Sequence, residues 1–194
     1  MRTFEPSQVL NNNLRESSEL TLRTLVASDK EKVCVWIASK FIVHYSFVVI
    51  GPQSASREIA NKNYAERYFN MLMSDPRRQT FAILWHENII GTVGIKDINN
   101  LSADCFIDIG EENFRGRGLG YLAMTQLLDR AFYSAGLTDI SLDVLEFNRA
   151  ALKLYENLGF ESQKYWTWHY DEFGLYWRVL RMSIAKRKWL ERST

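Results

Sequence analysis

Proline, cysteine and histidine are scarce in this chain, and charge of either sign is nearly cancelled. The 194 residues hold three prolines, two cysteines and three histidines, with 24 basic against 23 acidic side chains for a net charge of +1. Cys34 and Cys105 lie apart among apolar neighbours, which excludes a disulfide scaffold and reads them as free, buried thiols. His44, His86 and His169 are too dispersed to draw a metal site, so no metal is expected. The charge balance lacks the clustered basic surplus of a general nucleic-acid binder, so no nucleic-acid partner is expected. Met1–Ser7 carries no apolar run. The longest apolar stretch, Val33 to Ile50, is broken by Ser39, Lys40, His44 and Ser46. The expectation is therefore no export leader, no membrane span and a cytoplasmic location.

What is present is the patterning of one folded domain. Apolar residues make up 46% of the chain and charged residues 24%, enough for a sizeable core. Residues 1–18 are polar and read as a loose lead-in, leaving residues 19–194 as a single domain. Glu19–Leu25 alternates apolar and polar side chains, as a strand does. Ser28 and Glu31 fit a capping box opening a helix with Val33, Trp36, Ile37 and Phe41 on one face. Gly51-Pro52 breaks the chain, and a second helix is predicted near 58–73, with Ile59, Tyr64, Tyr68 and Leu72 at helical spacing. The period then changes to two: strands are predicted at 79–85, 89–95 and 103–109. A helix over 118–135, a strand over 139–145 and a helix over 148–158 follow, the last closed by Gly159. Two aromatic-rich strands, near 161–170 and 176–184, turn at Asp171–Gly174 ahead of a short basic helix. Strand–helix–strand at the centre calls for a locally parallel sheet, and the class is α/β with mixed α+β character.

The segment richest in chemistry is Phe114-Arg115-Gly116-Arg117-Gly118-Leu119-Gly120. It follows a strand and opens a helix. Its glycines allow main-chain N–H groups to turn toward an anion, and the helix N-terminus adds unsatisfied donors and a positive dipole end. The charges of Arg115 and Arg117 complete a cradle for a diphosphate. The glycine spacing is wrong for a dinucleotide fingerprint, and Leu119-Gly120-Tyr121 is not the Gly-Lys-Ser/Thr of a nucleotide P-loop.

Arg115-x-x-Gly118-x-Gly120 resembles the coenzyme A pyrophosphate loop of the GNAT N-acetyltransferase superfamily. A second block, Asn148-x-x-Ala151-x-x-x-Tyr155-x-x-x-Gly159-Phe160, is similar to that family's closing motif. Ala103–Gly110 resembles its fourth strand, and Gly174–Ile184 resembles the last strand of its ribosomal-protein and polyamine acetyltransferase branch. The resemblance spans about Leu20 to Trp189. It implies a mixed, mostly antiparallel seven-stranded sheet with a central β-α-β unit and flanking helices. It also implies acetyl-coenzyme A as cosubstrate. The pyrophosphate is then expected on the N–H groups of Arg115, Gly116, Arg117, Gly118, Leu119 and Gly120. The pantetheine arm is expected along the backbone near Ile107 and Ile109, with Asn148 as a contact that can equally cap its own helix. Tyr155 is expected as the proton donor to the departing thiolate, against the plainer reading of a packed helix residue. Asp104 stands where many relatives carry glutamate and is the expected base. Alternation puts Asp104, Phe106 and Asp108 on one face, so Asp108 or a water is an open alternative. Arg178 departs from the branch, whose members often carry aspartate there. Glu111 and Glu112 are expected to offset Arg115 and Arg117.

The acceptor is expected between the two N-terminal helices and the last hairpin, where Tyr45, Tyr165, Trp166, Trp168 and His169 are available. The resemblance implies acetyl transfer to a primary amine: a protein N-terminus, a polyamine or another small amine. Amino-sugar or antibiotic acetylation on the same fold, a non-catalytic acyl-coenzyme A sensor, and RNA binding through the basic tail are the competing readings. A homodimer is compatible with any of them.

Overall fold

The computed structural model describes residues 19–38, 57–170 and 175–192. The lead-in over 1–18, Phe41, Tyr45, the Gly51-Pro52 break and the Asp171–Gly174 turn lie outside the described residues, as do the side chains of Ile59, Trp168 and His169.

Seven strands form one sheet. In chain order they are β1 (Leu20–Thr24), β2 (Gln79–Trp85), β3 (Asn88–Asn99), β4 (Ser102–Ile109), β5 (Asp139–Leu145), β6 (Glu161–Tyr170) and β7 (Leu175–Ala185). Their spatial order is β1-β2-β3-β4-β5-β7-β6. Every neighbour pair is antiparallel except β4 and β5, which run parallel. The β4–β5 crossover contains α3 (Leu119–Asp129), which runs on into a single π-helical turn over Arg130–Ser134. The other helices are α1 (Lys30–Ala38), α2 (Arg57–Ser74), α4 (Arg149–Asn157) and α5 (Lys186–Glu191).

The sheet separates two cores. On one face, Ile95, Cys105, Ile140, Leu142, Val144, Leu180 and Met182 pack with Leu127 and Phe132 of the crossover and with Leu152 and Tyr155 of α4. On the other, Ala82, Leu84 and Phe106 meet Val33, Trp36 and Ile37 of α1 and Phe69 and Leu72 of α2. Two side chains tie the crossover to the sheet's outer edge: Gln126 donates to Leu20 O (2.8 Å) and Arg130 to Leu22 O (3.0 Å). The basic tail is anchored rather than free. Trp189 is buried beside Phe132, and its indole N–H donates to Asp129 at 2.9 Å. Burying such an aromatic contributes roughly 1.5–3 kcal/mol.

Two local expectations are corrected. The cap before α1 is built by Asp29 rather than by Ser28 and Glu31: a 3-10 turn over Ala27–Asp29 precedes the helix, and the Asp29 carboxylate accepts from the Val26 N–H at 2.9 Å. The same carboxylate takes two hydrogen bonds from Arg23, at 2.9 and 3.0 Å. Second, β3 reaches Asn99 and carries a bulge, since Ile83 faces Gly91 while Leu84 faces Ile89. That leaves Ile90 as the extra residue.

Burial alone would raise the Asp29 pKa, but the bonds from Arg23 and Val26 outweigh it and hold the carboxyl below its usual value. A lowered folded-state pKa contributes stability above the unfolded value and loses it as pH falls. Asp29→Ala is therefore expected to cost about 1–2 kcal/mol near neutral pH in chemical denaturation, and less below about pH 4. An equal cost at both pH values would count against the ion pair.

Candidate functional site

The parallel pairing of β4 with β5 is short. It runs over Ser102↔Asp139, Ala103↔Ile140 and Asp104↔Ser141 and then stops. Beyond it β4 stays paired with β3 as far as Ile109, and β5 stays paired with β7 as far as Leu145. The edges from Cys105 to Ile109 and from Leu142 to Leu145 thus diverge and face each other across a wedge. Among the described residues these facing edges pair with no opposing strand, although Ile109 O accepts from Arg115 and Leu145 O from the Asn148 N–H, and such edges can accept an extended ligand as an added strand. Ile107 and Ile109, expected along a pantetheine arm, lie on this edge of β4.

The glycine-rich loop closes the wide end. Gly116 and Gly118 have φ of +71° and +81°, the left-handed region that favours glycine, and a Cβ at either would meet nothing within 4 Å. Gly118 is the N-cap of α3. Among the described residues, the N–H groups from Gly116 to Gly120 donate to no acceptor. Five donors around two open glycines at a helix N-terminus fit an anion of phosphate size. Gly120 instead has ordinary room: a Cβ there would lie 3.6 Å from Leu154 and 3.8 Å from Ile107.

Arg115 does not face the cradle as expected. Its Nε donates to Ile109 O (2.8 Å), its Nη2 to Gly110 O (2.7 Å), and its Nη1 lies 3.3 Å from Glu112. Its N–H donates to Glu112 O. This residue folds the loop back onto the end of β4, and the donor arc begins at Gly116. Arg117 lies over Phe114 and Trp85, 5.2 and 5.6 Å from their ring centres. Glu112 offsets Arg115 as expected, whereas Glu111 pairs with Lys32 of α1 at 3.1 Å.

Asn148 caps α4, its Oδ1 accepting from the Ala151 N–H at 3.2 Å. Its Nδ2 has no acceptor among the described residues, so capping leaves two donors available for a ligand.

The titratable residues sit on opposite faces. Tyr155 is buried on the α4 side against Phe160, with ring centres 5.7 Å apart. Burial raises its pKa, and the acidic neighbours Cys105 and Asp108 raise it further. It therefore stays a neutral phenol across the physiological range. Asp108 lies on the other side of β4, in a cleft with Val33, Trp36 and Ile37 of α1, Tyr68 and Leu72 of α2, and Thr92. Desolvation by these mostly apolar walls lifts its pKa to about 7, partly opposed by Arg115. A carboxyl poised there can both take and return a proton near neutrality.

Asp104 is placed differently from the expected base. Both its oxygens accept from Arg181 of β7, at 2.5 and 2.7 Å, and Arg181 also donates to Asp143 of β5 at 3.2 Å. Its carboxylate is engaged in an ion pair, whereas Asp108 lines the cleft and makes no ion pair among the described residues. The pairing was invisible in sequence because it joins three strands far apart in the chain. The available signal was the recurrence of charged residues, Asp104, Asp143 and Arg181 among them, within largely apolar strands.

The expected aromatic wall is divided. Trp166 lies opposite Val179, on the Arg181 face, and its indole is 3.3 Å from Asp143. Tyr165 lies on the other face, with the Arg178 guanidinium 4.4 Å from its ring centre. Arg178 also pairs with Glu146 at 3.1 Å, so it is spent on surface contacts. Cys34 and Cys105 are free thiols; Cys105 is buried as expected, whereas Cys34 is only part-buried.

Comparison with known proteins identifies the fold. The family model for the acetyltransferase (GNAT) domain matches residues 19–161. Spermidine N(1)-acetyltransferase of Vibrio cholerae is 29% identical over 180 residues, 91% of this chain and 99% of that protein. The ribosomal protein bS18 alanine N-acetyltransferase of Salmonella typhimurium is 34% identical over 101 residues, 52% of this chain and 60% of that one. Among solved structures, the Vibrio cholerae spermidine N-acetyltransferase in complex with CoA and spermine superposes with a TM-score of 0.74 at 28% identity, covering 89% of this chain and 99% of that one. Among the described residues, no helix is long and apolar enough to cross a membrane. The chain belongs to the GNAT acetyltransferase family and is an acetyl-coenzyme A-dependent N-acetyltransferase.

Proposed function

We propose that the chain acetylates a primary amine of a polyamine, with Asp108 as proton acceptor and Tyr155 as proton donor on either side of the β4–β5 wedge. The observation that carries this reading is Asp108. A lone carboxyl between the apolar walls of α1 and α2 suits an alkyl chain ending in an ammonium group. Near-full-length likeness to a spermidine acetyltransferase supports the same acceptor class.

The chemistry follows from protonation states. An alkylammonium has a pKa near ~10.4 and is not a nucleophile until it loses a proton. Asp108, ionised above about pH 7, attracts the ammonium and then accepts that proton, directly or through one water. Bound acetyl-coenzyme A supplies the activated thioester. The Gly116–Gly120 donors and the Asn148 amide hold its phosphates and arm, with Ile107 and Ile109 offering main-chain groups alongside. A main-chain N–H of β4, such as that of Ile109, meets the developing oxyanion. Tyr155, kept neutral by burial, gives its proton to the leaving sulfur. A cytoplasmic location and a homodimer belong to the same proposal; cell fractionation and light scattering address them.

A thiol-release assay with acetyl-coenzyme A against spermidine, spermine, a peptide with a free N-terminus and an amino sugar separates the acceptors. Turnover with the polyamines is expected. Turnover confined to the peptide would replace the acceptor and keep the enzyme.

Tyr155→Phe is expected to lower kcat by roughly 10²–10⁴-fold with little change in coenzyme affinity. A sensor would be unaffected in both. The wild-type kcat/KM should fall as pH drops below about 7, where Asp108 becomes protonated. Asp108→Asn should abolish that limb and most of the rate. Because a carboxyl whose folded pKa is raised to about 7 loses stability as pH climbs from the usual carboxylate range to that value, and bears the full cost above it, the same variant should melt no lower than wild type at pH 8. An intact acidic limb in Asp108→Asn would remove it as the base. Gly118→Ala puts a Cβ into the cradle at a left-handed position, at a conformational cost of about 1–2 kcal/mol; calorimetric titration should show weaker binding of coenzyme A.

A further inference from the structure

We infer that Arg181 is a positioning residue that sets the width of the wedge between β4 and β5, and with it the affinity for the pantetheine arm. The inference rests on the reading that this arm lies in the wedge.

Asp104↔Ser141 is the last paired position of β4 and β5. Arg181 stands two strands away from β4, on β7, opposite Asp143 of β5. From there its guanidinium crosses the face of β5. It donates to both oxygens of Asp104, at 2.5 and 2.7 Å, and to Asp143 at 3.2 Å. One planar cation thus pins β4 and β5 together at the last residue before they diverge. The Arg–carboxylate fork is geometrically demanding and fixes direction as well as distance. Arg181 and Asp104 are each only about a quarter exposed, 26% and 21%, so water competes weakly for the fork. The Asp104 and Asp143 bonds hold the guanidinium in its charged form.

A clamp at the apex of a wedge controls the opening beyond it. Without it, the repulsion between Asp104 and Asp143 would push the strands apart where the last main-chain pairs hold them. The edge from Cys105 to Ile109 would then lose its spacing from Leu142–Leu145. A strand-like ligand needs both edges at hydrogen-bonding distance, and strand spacing tolerates little change. The glycine cradle is built by Arg115 and α3, away from the clamp, and should not feel its loss. The effect should therefore be confined to the arm.

The test compares two ligands in calorimetric titration: coenzyme A, and adenosine 3′,5′-bisphosphate, which lacks the arm. The proteins are wild type, Arg181→Lys, Arg181→Met and the double variant Asp104→Asn/Arg181→Gln, whose two amides can still hydrogen-bond. Arg181→Met is expected to weaken coenzyme A about tenfold, the equivalent of about 1.4 kcal/mol, and to leave the bisphosphate unchanged. Arg181→Lys and the double variant should recover part of the loss. In steady state the KM for acetyl-coenzyme A should rise while kcat at saturation and the KM for spermidine hold. Equal weakening of both ligands would mean general loosening and would overturn the clamp. So would unchanged coenzyme affinity with a fallen kcat, which would return Asp104 and Arg181 to the chemistry. If Arg181→Met does not fold, the lysine and double variants give the same reading. Failure of wild type to bind coenzyme A would instead refute the wedge reading itself.

Discussion

Parallel strands that separate after three paired residues leave two main-chain edges with no facing strand in the middle of a seven-stranded sheet. That separation, between β4 and β5 beyond Asp104 and Ser141, is the constraint on which the rest of the architecture depends. An unpaired main-chain edge is costly unless something fills it. The surrounding elements are arranged so that an extended ligand can. The crossover helix α3 starts at the wide end with its donors exposed, α4 covers one side, and α1 with α2 covers the other.

The same separation explains how an acid and a base can serve one reaction from opposite faces of a sheet. A continuous sheet would isolate Tyr155 in one core from Asp108 in the other. Here the wedge lies between them, and the charge of Asp108 is close enough to raise the Tyr155 pKa. Burial acts on both groups in the same direction and with different use. It keeps the phenol protonated, and it brings the carboxyl to about 7. In the proposed reaction each group begins in the state that its step needs, and no metal is called on to adjust either.

The fold was largely legible because its signals are local. Alternation marked the strands, the change of period marked the first helices off from the meander, and Asn148 and Gly159 marked the ends of α4. The glycine loop was legible for the same reason: left-handed backbone and helix N-terminal donors are properties of a few consecutive residues. The direction of long side chains was not. Arg115 reads as a charge for a phosphate, yet the end of β4 offers it two carbonyl oxygens at 2.8 and 2.7 Å. Asp104 reads as a free carboxylate because its partner is 77 positions away. Asp108 reads as one alternative for the base, and nothing local favours it over Asp104, because its raised pKa comes from α1 and α2 packing over it. In each case tertiary neighbours supplied what local spacing could not.

Hydrogen–deuterium exchange with and without acetyl-coenzyme A tests the central claim most directly. New protection is expected at the N–H groups of Gly116–Gly120 and along Cys105–Ile109, which among the described residues face no paired strand across the wedge. Protection at the loop alone would leave the arm outside the wedge. Protection at neither segment, with binding intact, would contradict the assignment of this wedge as the coenzyme site.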